Sequence, residues 1–341
     1  MRRIPAEFEK QSFIQIIFPH PQSDWAEYLE DAEENFIQII NAITAYQDCL
    51  VIAYDIDYVK SKLKASKHLY LMKALTNDTW ARDCSALSIY EGKQALLLDF
   101  TFNAWGNKFE ADLDNKLTQN IAHAYAVSVE TIDFVLEGGA IESNGKGSLL
   151  ITQECVFNPN RNTLTQNEST LRLEKELGVS NILSLKNGYL KGDDTNSHID
   201  TLARFSDENT IVYLECKDKS DEHYEALLSM KKELEKFRDQ NNKPFRLIPL
   251  PFTTAIYEEE ERLPATYANF LILNEAVLLP IYNDQNDFLA IKALEKAFPH
   301  RHIIPINCST LIRQHGSLHC VTMQFPYQIN LLKDVLVKHS Y

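Results

Sequence analysis

Glycine is scarce in this chain, with 10 residues among 341, and no tract of proline, glycine or serine separates one part of the sequence from another. Flexible linkers between domains have such compositions. The length exceeds that of a typical domain, so the chain contains either two ordinary domains or one large closed architecture. Because no linker is present, we treat residues 1–341 as a single domain.

Long apolar runs are also missing. No stretch approaches the ~20 apolar residues that a membrane-spanning helix needs. The first residues, Met1-Arg2-Arg3, resemble the start of a signal peptide, but Glu7, Glu9 and Lys10 interrupt the segment before an apolar stretch develops. We therefore expect no signal peptide, no membrane partner and a cytoplasmic location.

Positive charge is in deficit. The chain has 34 Lys and Arg against 48 Asp and Glu, a net charge of −14. This balance disfavours nucleic acid or anionic lipid as a partner and weakly favours small cationic ligands.

Paired cysteines are absent as well. The six cysteines are scattered and form no Cys-x-x-Cys motif, which excludes a zinc ribbon or a redox pair and makes a disulfide framework improbable. We expect reduced and mostly buried thiols, one of which could be a nucleophile.

A recurring pattern organises the chain: an apolar strand, a short turn, a second strand, a helical stretch and a further strand. The second copy contains the hairpin signal Asn144-Gly145. The four copies span 85–136, 140–185, 201–249 and 269–306, with helices predicted near 111–127, 168–177, 221–240 and 288–297.

The two ends of the chain complete a fifth copy. Phe13–Phe18 is a predicted strand that precedes a helix at Trp25–Tyr46 and a strand at Cys49–Ala53, but it lacks a hairpin partner. Cys320–Phe325 is a predicted strand that belongs to none of the four copies. If these two strands pair, the repeats close into an α/β ring with pseudo-fivefold symmetry, which removes open sheet edges as propellers do. The alternative is an ordinary α/β domain with coincidental spacing.

Chemically versatile side chains lie at corresponding ends of these repeats. They are Asp83, Glu137, the pair His198 and Asp200, and Cys320. Singly, each has an ordinary explanation: a turn cap, a surface pair or a buried thiol. Together they place a thiol, an imidazole and three carboxylates around a common axis.

This combination suits a guanidinium substrate. Carboxylates match the planar donors of a guanidinium, and a thiolate with an imidazole provides a nucleophile and a proton shuttle. The chemistry predicted is deimination, in which the thiol attacks, ammonia leaves and water hydrolyses the adduct. Trp80 could cover the flat cation, or it could be a core tryptophan.

At these residues the sequence resembles the agmatine deiminase and bacterial-type peptidylarginine deiminase family of guanidino-group-modifying penteins. The resemblance covers nearly the whole chain. The matching segments are Asn77–Asp83, Phe102–Gly106, Glu137–Gly139, Asn158–Asn162, His198–Asp200, Leu202–Phe205, Tyr267–Phe270 and His319-Cys320. It implies a five-bladed α/β propeller and no metal or organic cofactor.

The resemblance also implies roles for individual residues. Cys320 would be the nucleophile and His198 the general acid and base. Asp83 and Asp200 would hold the guanidinium nitrogens, and Glu137 would bind the guanidinium and assist proton transfer. The implied partner is a small cationic guanidino compound.

Substrate choice rests on weaker features. We expect agmatine, which yields N-carbamoylputrescine and ammonia, a reaction shared by polyamine synthesis through putrescine and by agmatine catabolism. Peptidyl-arginine or free arginine is the alternative, because Arg204 could contact a carboxylate. A non-catalytic pentein binding protein, an amidinotransferase and a homo-oligomer also stay open.

Two segments depart from the family pattern beside the proposed catalytic pair. Asn196-Ser197 replaces the usual Asp-Gly before His198, and Ser317 stands where glycine is usual. We expect Ser317 to restrict a loop at the site.

Overall fold

The computed structural model describes residues 2–340, which form an α/β fold with five sheets of three or more strands and one two-stranded hairpin. No helix within this range is both long enough and apolar enough to cross a membrane.

The five larger sheets follow one another along the chain. The first contains Arg2–Arg3, Leu87–Glu91, Gln94–Thr101 and Val129–Val135. The second contains Ile141–Ser143, Ser148–Thr152 and Asn181–Leu185, and the third Ala203–Asp207, Thr210–Glu215 and Arg246–Pro251. The fourth contains Leu271–Ile272, Ala276–Ile281 and His302–Asn307. The hairpin pairs Tyr257–Glu258 with Glu261–Arg262.

Each of the first four sheets repeats one pairing scheme. In the third sheet, Thr210–Glu215 pairs antiparallel with Ala203–Asp207 and parallel with Arg246–Pro251. A parallel pair needs a long crossover, and the helix Tyr224–Leu234 lies in that connection. The strand order predicted for the four internal repeats is therefore confirmed.

The fifth sheet joins the two ends of the chain and is called the terminal sheet below. Thr322–Pro326 pairs antiparallel with Gln11–Ile17, which pairs parallel with Asp48–Ala53. The predicted pairing of the terminal strands is thus confirmed. Leu69–Lys73 and Val337–Lys338 widen this sheet and were not predicted.

Four α-helices have 11 or more residues, and each lies within or overlaps a predicted helical segment; the others are short. The α-helices are Leu29–Thr44, Ile56–Lys62, Ala81–Cys84, Ala104–Asn107, Leu117–Ile121, Gln153–Val156, Gln166–Leu177, Tyr224–Leu234 and Asp287–Ala297. Gln166–Leu177 has both ends encoded locally, by a Thr165/Glu168 capping box and by Gly178 at φ 66°.

Two predicted helices are shorter than expected. In place of a helix over 111–127, one α-helical turn at Leu117–Ile121 lies between two 3-10 turns. The Asn77 side chain accepts hydrogen bonds from the backbone of Leu113 and Asp114, so a tertiary contact holds the start of this segment. The predicted helix 221–240 covers only Tyr224–Leu234, and the Asp239 carboxylate accepts hydrogen bonds from the backbone N–H groups of Asn241 and Lys243, which favours a turn at the end of the predicted segment.

The core is built from strands that are buried along most of their length. Ala276–Ile281, for example, is apolar throughout and has a neighbour on both sides. Such continuous apolar strands are typical of sheets covered on both faces. The polar side chains therefore lie mainly on the loops at the strand ends.

Candidate active site

A cleft of about 760 Å³ opens at one end of the sheets, and Trp80, Asp83, His198 and Cys320 line it. Its other acidic lining residues are Asp24, Asp78, Glu110, Asp114, Asp193, Asp194 and Glu261. No lysine or arginine from residues 2–340 lines it. The cleft therefore suits a cation, and no lysine or arginine of the described lining is available to a substrate carboxylate.

Five short segments in equivalent positions of the repeats carry the side chains that line this cleft or lie next to its lining residues. Each precedes the first strand of its repeat: Asp83 comes before Leu87–Glu91, Glu137 before Ile141–Ser143, and Asp200 before Ala203–Asp207. Asn269 precedes Leu271–Ile272, and Cys320 precedes Thr322–Pro326 rather than opening that strand. His198 lies two residues before Asp200, so these segments bring all five predicted catalytic residues together.

The Cys320 thiol is almost fully buried beside two side-chain oxygens. Its Sγ lies 3.4 Å from Oδ1 of Asn269 and 3.9 Å from Oδ2 of Asp200. Burial, followed by the charges of Asp200 and Asp83, raises the pKa of Cys320 well above its usual value. These surroundings favour the neutral thiol of Cys320, and a cation beside these acids would favour the thiolate.

His198 is buried and presents one free ring nitrogen. Its Nδ1 lies 3.8 Å from Oδ2 of Asp83, while its Nε2 has no hydrogen-bond partner within residues 2–340. Burial, and secondarily the charge of Arg161, lowers the pKa of His198 well below its usual value. A neutral imidazole of this kind can accept a proton.

Asp83 and Asp200 are carboxyl groups kept from ionising easily. Burial, then the charge of Glu137, raises the pKa of Asp83 to about 7, although Gly139 N–H and Trp105 Nε1 donate to its oxygens at 2.9 and 3.0 Å. Burial also raises the pKa of Asp200, whose Oδ1 is buried without a partner in the described part of the chain. Both groups gain from an incoming cation.

Glu137 is paired with a buried arginine. Its Oε1 accepts from Nε of Arg161 at 2.7 Å, and both side chains are only 1% exposed. Arg161 also donates to Oδ1 of Asn196 at 2.5 Å and to the Thr195 carbonyl at 2.8 Å. Arg161 therefore ties Glu137 to the backbone that leads into His198.

Gly139 lies where three of the candidate catalytic side chains converge. A Cβ at this position would be 2.6 Å from Nδ1 of His198, 3.0 Å from Oδ1 of Asp83 and 3.1 Å from Oδ2 of Asp200. The absence of a side chain at Gly139 is what lets these groups approach one another.

Trp80 belongs both to the core and to the cleft. It is 6% exposed, packs 5.7 Å from Trp25 and 6.3 Å from Trp105 between ring centroids, and lines the cleft. A Cβ on Gly316 would overlap its ring at 2.1 Å.

The two departures from the family pattern have visible consequences. Asn196 and Ser197 both adopt positive φ, at 66° and 63°, although neither is glycine. The Ser317 hydroxyl is buried 2.9 Å from the Tyr282 hydroxyl, so this side chain is held in place beside the Gly316 loop.

A buried layer of charges supports the site from behind. Glu7 lies between Arg82 and Arg204, at 2.9 and 2.5 Å, and 3.0 Å from the ring of His319. Arg204 also pairs with Glu142 and is fully buried, so it is a structural ion-pair partner rather than part of the cleft wall. Its expected alternative role as a clamp for a substrate carboxylate is not supported.

Glu137, Cys155 and His198 are close enough to share a metal ion, with ligand atoms within 4.8 Å of one another. Their chemistry fits a metal poorly. Burial raises the pKa of Cys155 well above its usual value, so the thiol stays protonated, and the Arg161 guanidinium beside Oε1 of Glu137 disfavours a second, metal cation between these side chains.

Sequence reasoning assigned no role to three residues that contact the candidate catalytic groups: Trp105, Arg161 and Asn269. All three lie inside segments that carried the family resemblance. Their own signal was weak, because their partners are far away in the chain and only the fold brings them together.

Comparisons with known proteins agree with this geometry. Residues 3–326 match the family described as Porphyromonas-type peptidyl-arginine deiminase. A structure from Porphyromonas gingivalis, provisionally named an arginine deiminase, is 43% identical, with a TM-score of 0.93 over 97% of this chain and 100% of that one. Substrate-bound C. jejuni agmatine deiminase is 40% identical, with a TM-score of 0.91 over 95% and 96% of the two chains. A Lactococcus lactis protein, provisionally named an agmatine deiminase, is 28% identical over 95% of both chains.

Proposed function

Because the chain belongs to the Porphyromonas-type peptidyl-arginine deiminase family, we propose that it is a hydrolytic deiminase that converts agmatine and water to N-carbamoylputrescine and ammonia. The observation that carries this proposal is the convergence of five residues: Cys320, His198 and Asp83 line an acidic cleft, Asp200 lies beside Cys320, and Glu137 lies beside His198.

Substrate binding begins with the guanidinium group. Asp83 and Asp200 bind its nitrogens. Glu137, which is paired with Arg161, also binds the guanidinium. The positive charge of the guanidinium compensates carboxylates that are costly to ionise in the empty cleft, as the pKa of about 7 for Asp83 indicates. The same charge stabilises the thiolate of Cys320, so binding activates the nucleophile.

The first chemical step forms a bond between Sγ of Cys320 and the guanidinium carbon. His198 accepts the proton that the Cys320 thiol loses. The carbon–nitrogen bond to one terminal nitrogen then breaks, and that nitrogen leaves as ammonia after His198 passes this proton to it. The product of this half-reaction is a covalent amidino-cysteine, an S-alkylthiouronium.

The second step removes the adduct with water. His198, now neutral, takes a proton from water as its oxygen bonds to the same carbon. The carbon–sulfur bond breaks, Cys320 leaves as a thiolate and the ureido product is released. The overall reaction consumes one water and releases one ammonia.

Agmatine is favoured over arginine because of what the cleft lacks. Free arginine carries a carboxylate that would lie among acidic lining residues, with no lysine or arginine of residues 2–340 in the wall to receive it. Agmatine replaces that carboxylate with hydrogen.

The proposal is tested by incubating the purified protein separately with agmatine, free arginine and a peptidyl-arginine. Ammonia and ureido product are measured, with Cys320→Ser as the control. We expect product from agmatine with the wild-type protein alone, and a covalent adduct on Cys320 visible by mass spectrometry. Product formation from agmatine no greater than that of the control would overturn the proposal.

The architecture proposed for this enzyme is a five-bladed propeller formed by one catalytic domain over residues 1–341. In each repeat, a segment with a site residue precedes the first strand, and this equivalent placement supports the arrangement. We place the reaction in the cytoplasm, which the six free, buried cysteines support because such thiols suit a reducing compartment.

A further inference from the structure

Asp78 has an unusual environment in the cleft wall. Its Oδ2 accepts a hydrogen bond from Nε1 of Trp80 at 2.8 Å, while its Oδ1 is buried and has no partner anywhere in residues 2–340. A buried carboxylate oxygen without a partner is costly, so its persistence in a ligand cleft points to a group that is supplied from outside the chain.

The proposed substrate carries a second charge that the catalytic residues do not address. Agmatine is a dication, with an ammonium group four methylenes from the guanidinium. Asp83, Asp200 and Glu137 all surround the guanidinium end. Asp114 and Asp193, which also line the cleft, already accept hydrogen bonds from Asn77, Asp78, Thr195 and Ser197.

We propose that Asp78 and Trp80 form the subsite for the distal ammonium group of the substrate, an inference that rests on the deiminase function proposed above. The indole ring of Trp80 lies between the Asp78 carboxylate and Gly316. Its N–H orients the Asp78 carboxylate, its opposite edge lies against Gly316, and its ring offers an apolar surface to the methylene chain.

The charge state of Asp78 supports this role. Burial, then the charges of Asp24 and Asp114, raises the pKa of Asp78 to about 8. The group is therefore largely neutral in the empty cleft at neutral pH. An ammonium ion ionises it on binding, which gives a strong interaction to diamines and none to neutral chains.

The test compares two substrates that differ only at the distal end, agmatine and n-butylguanidine, which lacks the amine. In Asp78→Asn we expect kcat/KM for agmatine to fall by about 10- to 100-fold, chiefly through KM, as the loss of a charged hydrogen bond predicts. For n-butylguanidine we expect a change of less than about 3-fold. Asp334→Asn, the same substitution at an exposed acid that does not line the cleft, is the matched control and should leave both substrates within about 2-fold.

Other results would contradict either the ammonium subsite or the deiminase function. Equal losses for both substrates, with unchanged thermal unfolding, would overturn the subsite, as would no loss for agmatine. Asp78→Glu retains the charge and should keep agmatine within about 10-fold of wild type; a loss as large as that of Asp78→Asn would contradict the proposal. If the wild-type protein does not turn over agmatine, the deiminase function fails instead.

Discussion

The imidazole of His319 bridges two carboxylates, with Nδ1 2.7 Å from Oδ2 of Asp200 and Nε2 3.0 Å from both carboxylate oxygens of Glu7. A residue near the start of the chain thereby supports a proposed substrate-binding acid from behind. Burial alone would raise the pKa of Glu7, but Arg82, His319 and Arg204 hold it well below its usual value, so Glu7 is an anion among buried cations.

Glu7→Gln should strongly destabilise the fold. Removing this charge leaves Arg82 buried without a carboxylate partner and Arg204 with Glu142 alone, and breaking such a pair costs about 3 kcal/mol or more. Chemical denaturation would measure the free energy of unfolding. Glu9→Gln is the matched control, because Glu9 pairs with the partly exposed Arg3 and should cost under about 1 kcal/mol. Similar losses for both variants would contradict the assigned role of Glu7.

Gly139→Ala should abolish most activity while the protein stays folded. The added methyl would lie 2.6 Å from Nδ1 of His198, so the imidazole and its neighbouring acids must separate. We expect kcat/KM to fall by about 100-fold or more, as misplacement of about 1 Å can do. Gly92→Ala is the control: at φ 62° it meets no atom within 4 Å, so it should cost about 1 kcal/mol of stability and leave activity unchanged. Full activity in Gly139→Ala would refute the convergence argument.

The sequence predicted the repeat order because each strand pair has a local signal. Asn144-Gly145 marks one hairpin, and the unpartnered strands at 13–18 and 320–325 indicated the closing pair. The prediction of a helix over 111–127 was wrong because a residue far away in the chain contacts this segment. The side chains of Asn77 and Asp114 each accept a hydrogen bond from the backbone N–H of the other residue, and the periodicity within one segment does not indicate such a contact.

The same distinction applies to the site. Cys320, His198 and the three acids could be proposed from residue type and position at the ends of repeats. The partners that tune them could not, since Arg161 reaches Glu137 and Trp105 reaches Asp83 only through tertiary packing. Positive φ at Ser197 likewise has no signal in a non-glycine residue.

Trp105→Phe tests one of these unpredicted contacts. It removes the N–H that donates to Oδ2 of Asp83 and keeps most of the ring packing. We expect kcat/KM to fall by about 10-fold, the equivalent of one hydrogen bond to a charged group, and its pH dependence to shift to higher pH because Asp83 loses a stabilising donor. Wild-type kinetics measured in parallel provide the reference. An unchanged pH profile would indicate that the hydrogen bond has no role in the charge state of Asp83.

Asn196→Gly and Ser197→Gly form a pair that separates backbone strain from side-chain contact. Both residues have positive φ, but only the Asn196 side chain accepts from Arg161. Ser197→Gly should change stability by less than about 1 kcal/mol, because relief of strain offsets the added chain entropy, and should retain activity. Asn196→Gly should lower kcat by about 10-fold, because Arg161 loses one of the hydrogen bonds that fix it between Glu137 and the backbone before His198. Thermal unfolding and steady-state kinetics measure both effects, and equal activity in the two variants would contradict the role given to Asn196.

Binding of agmatine should strengthen as pH rises from 6 to 8. The pKa of Asp83 is raised to about 7, so below that pH the carboxyl is protonated and must lose its proton before it can pair with a guanidinium. The raised pKa of Asp200 acts in the same direction. For Asp83 alone the dissociation constant should fall by about 10-fold over this interval, with proton release to the buffer. Calorimetric titration of the Cys320→Ser variant in buffers of different ionisation enthalpy isolates binding from chemistry. Affinity that is independent of pH, or that weakens as pH rises, would contradict the assignment of Asp83 to the guanidinium.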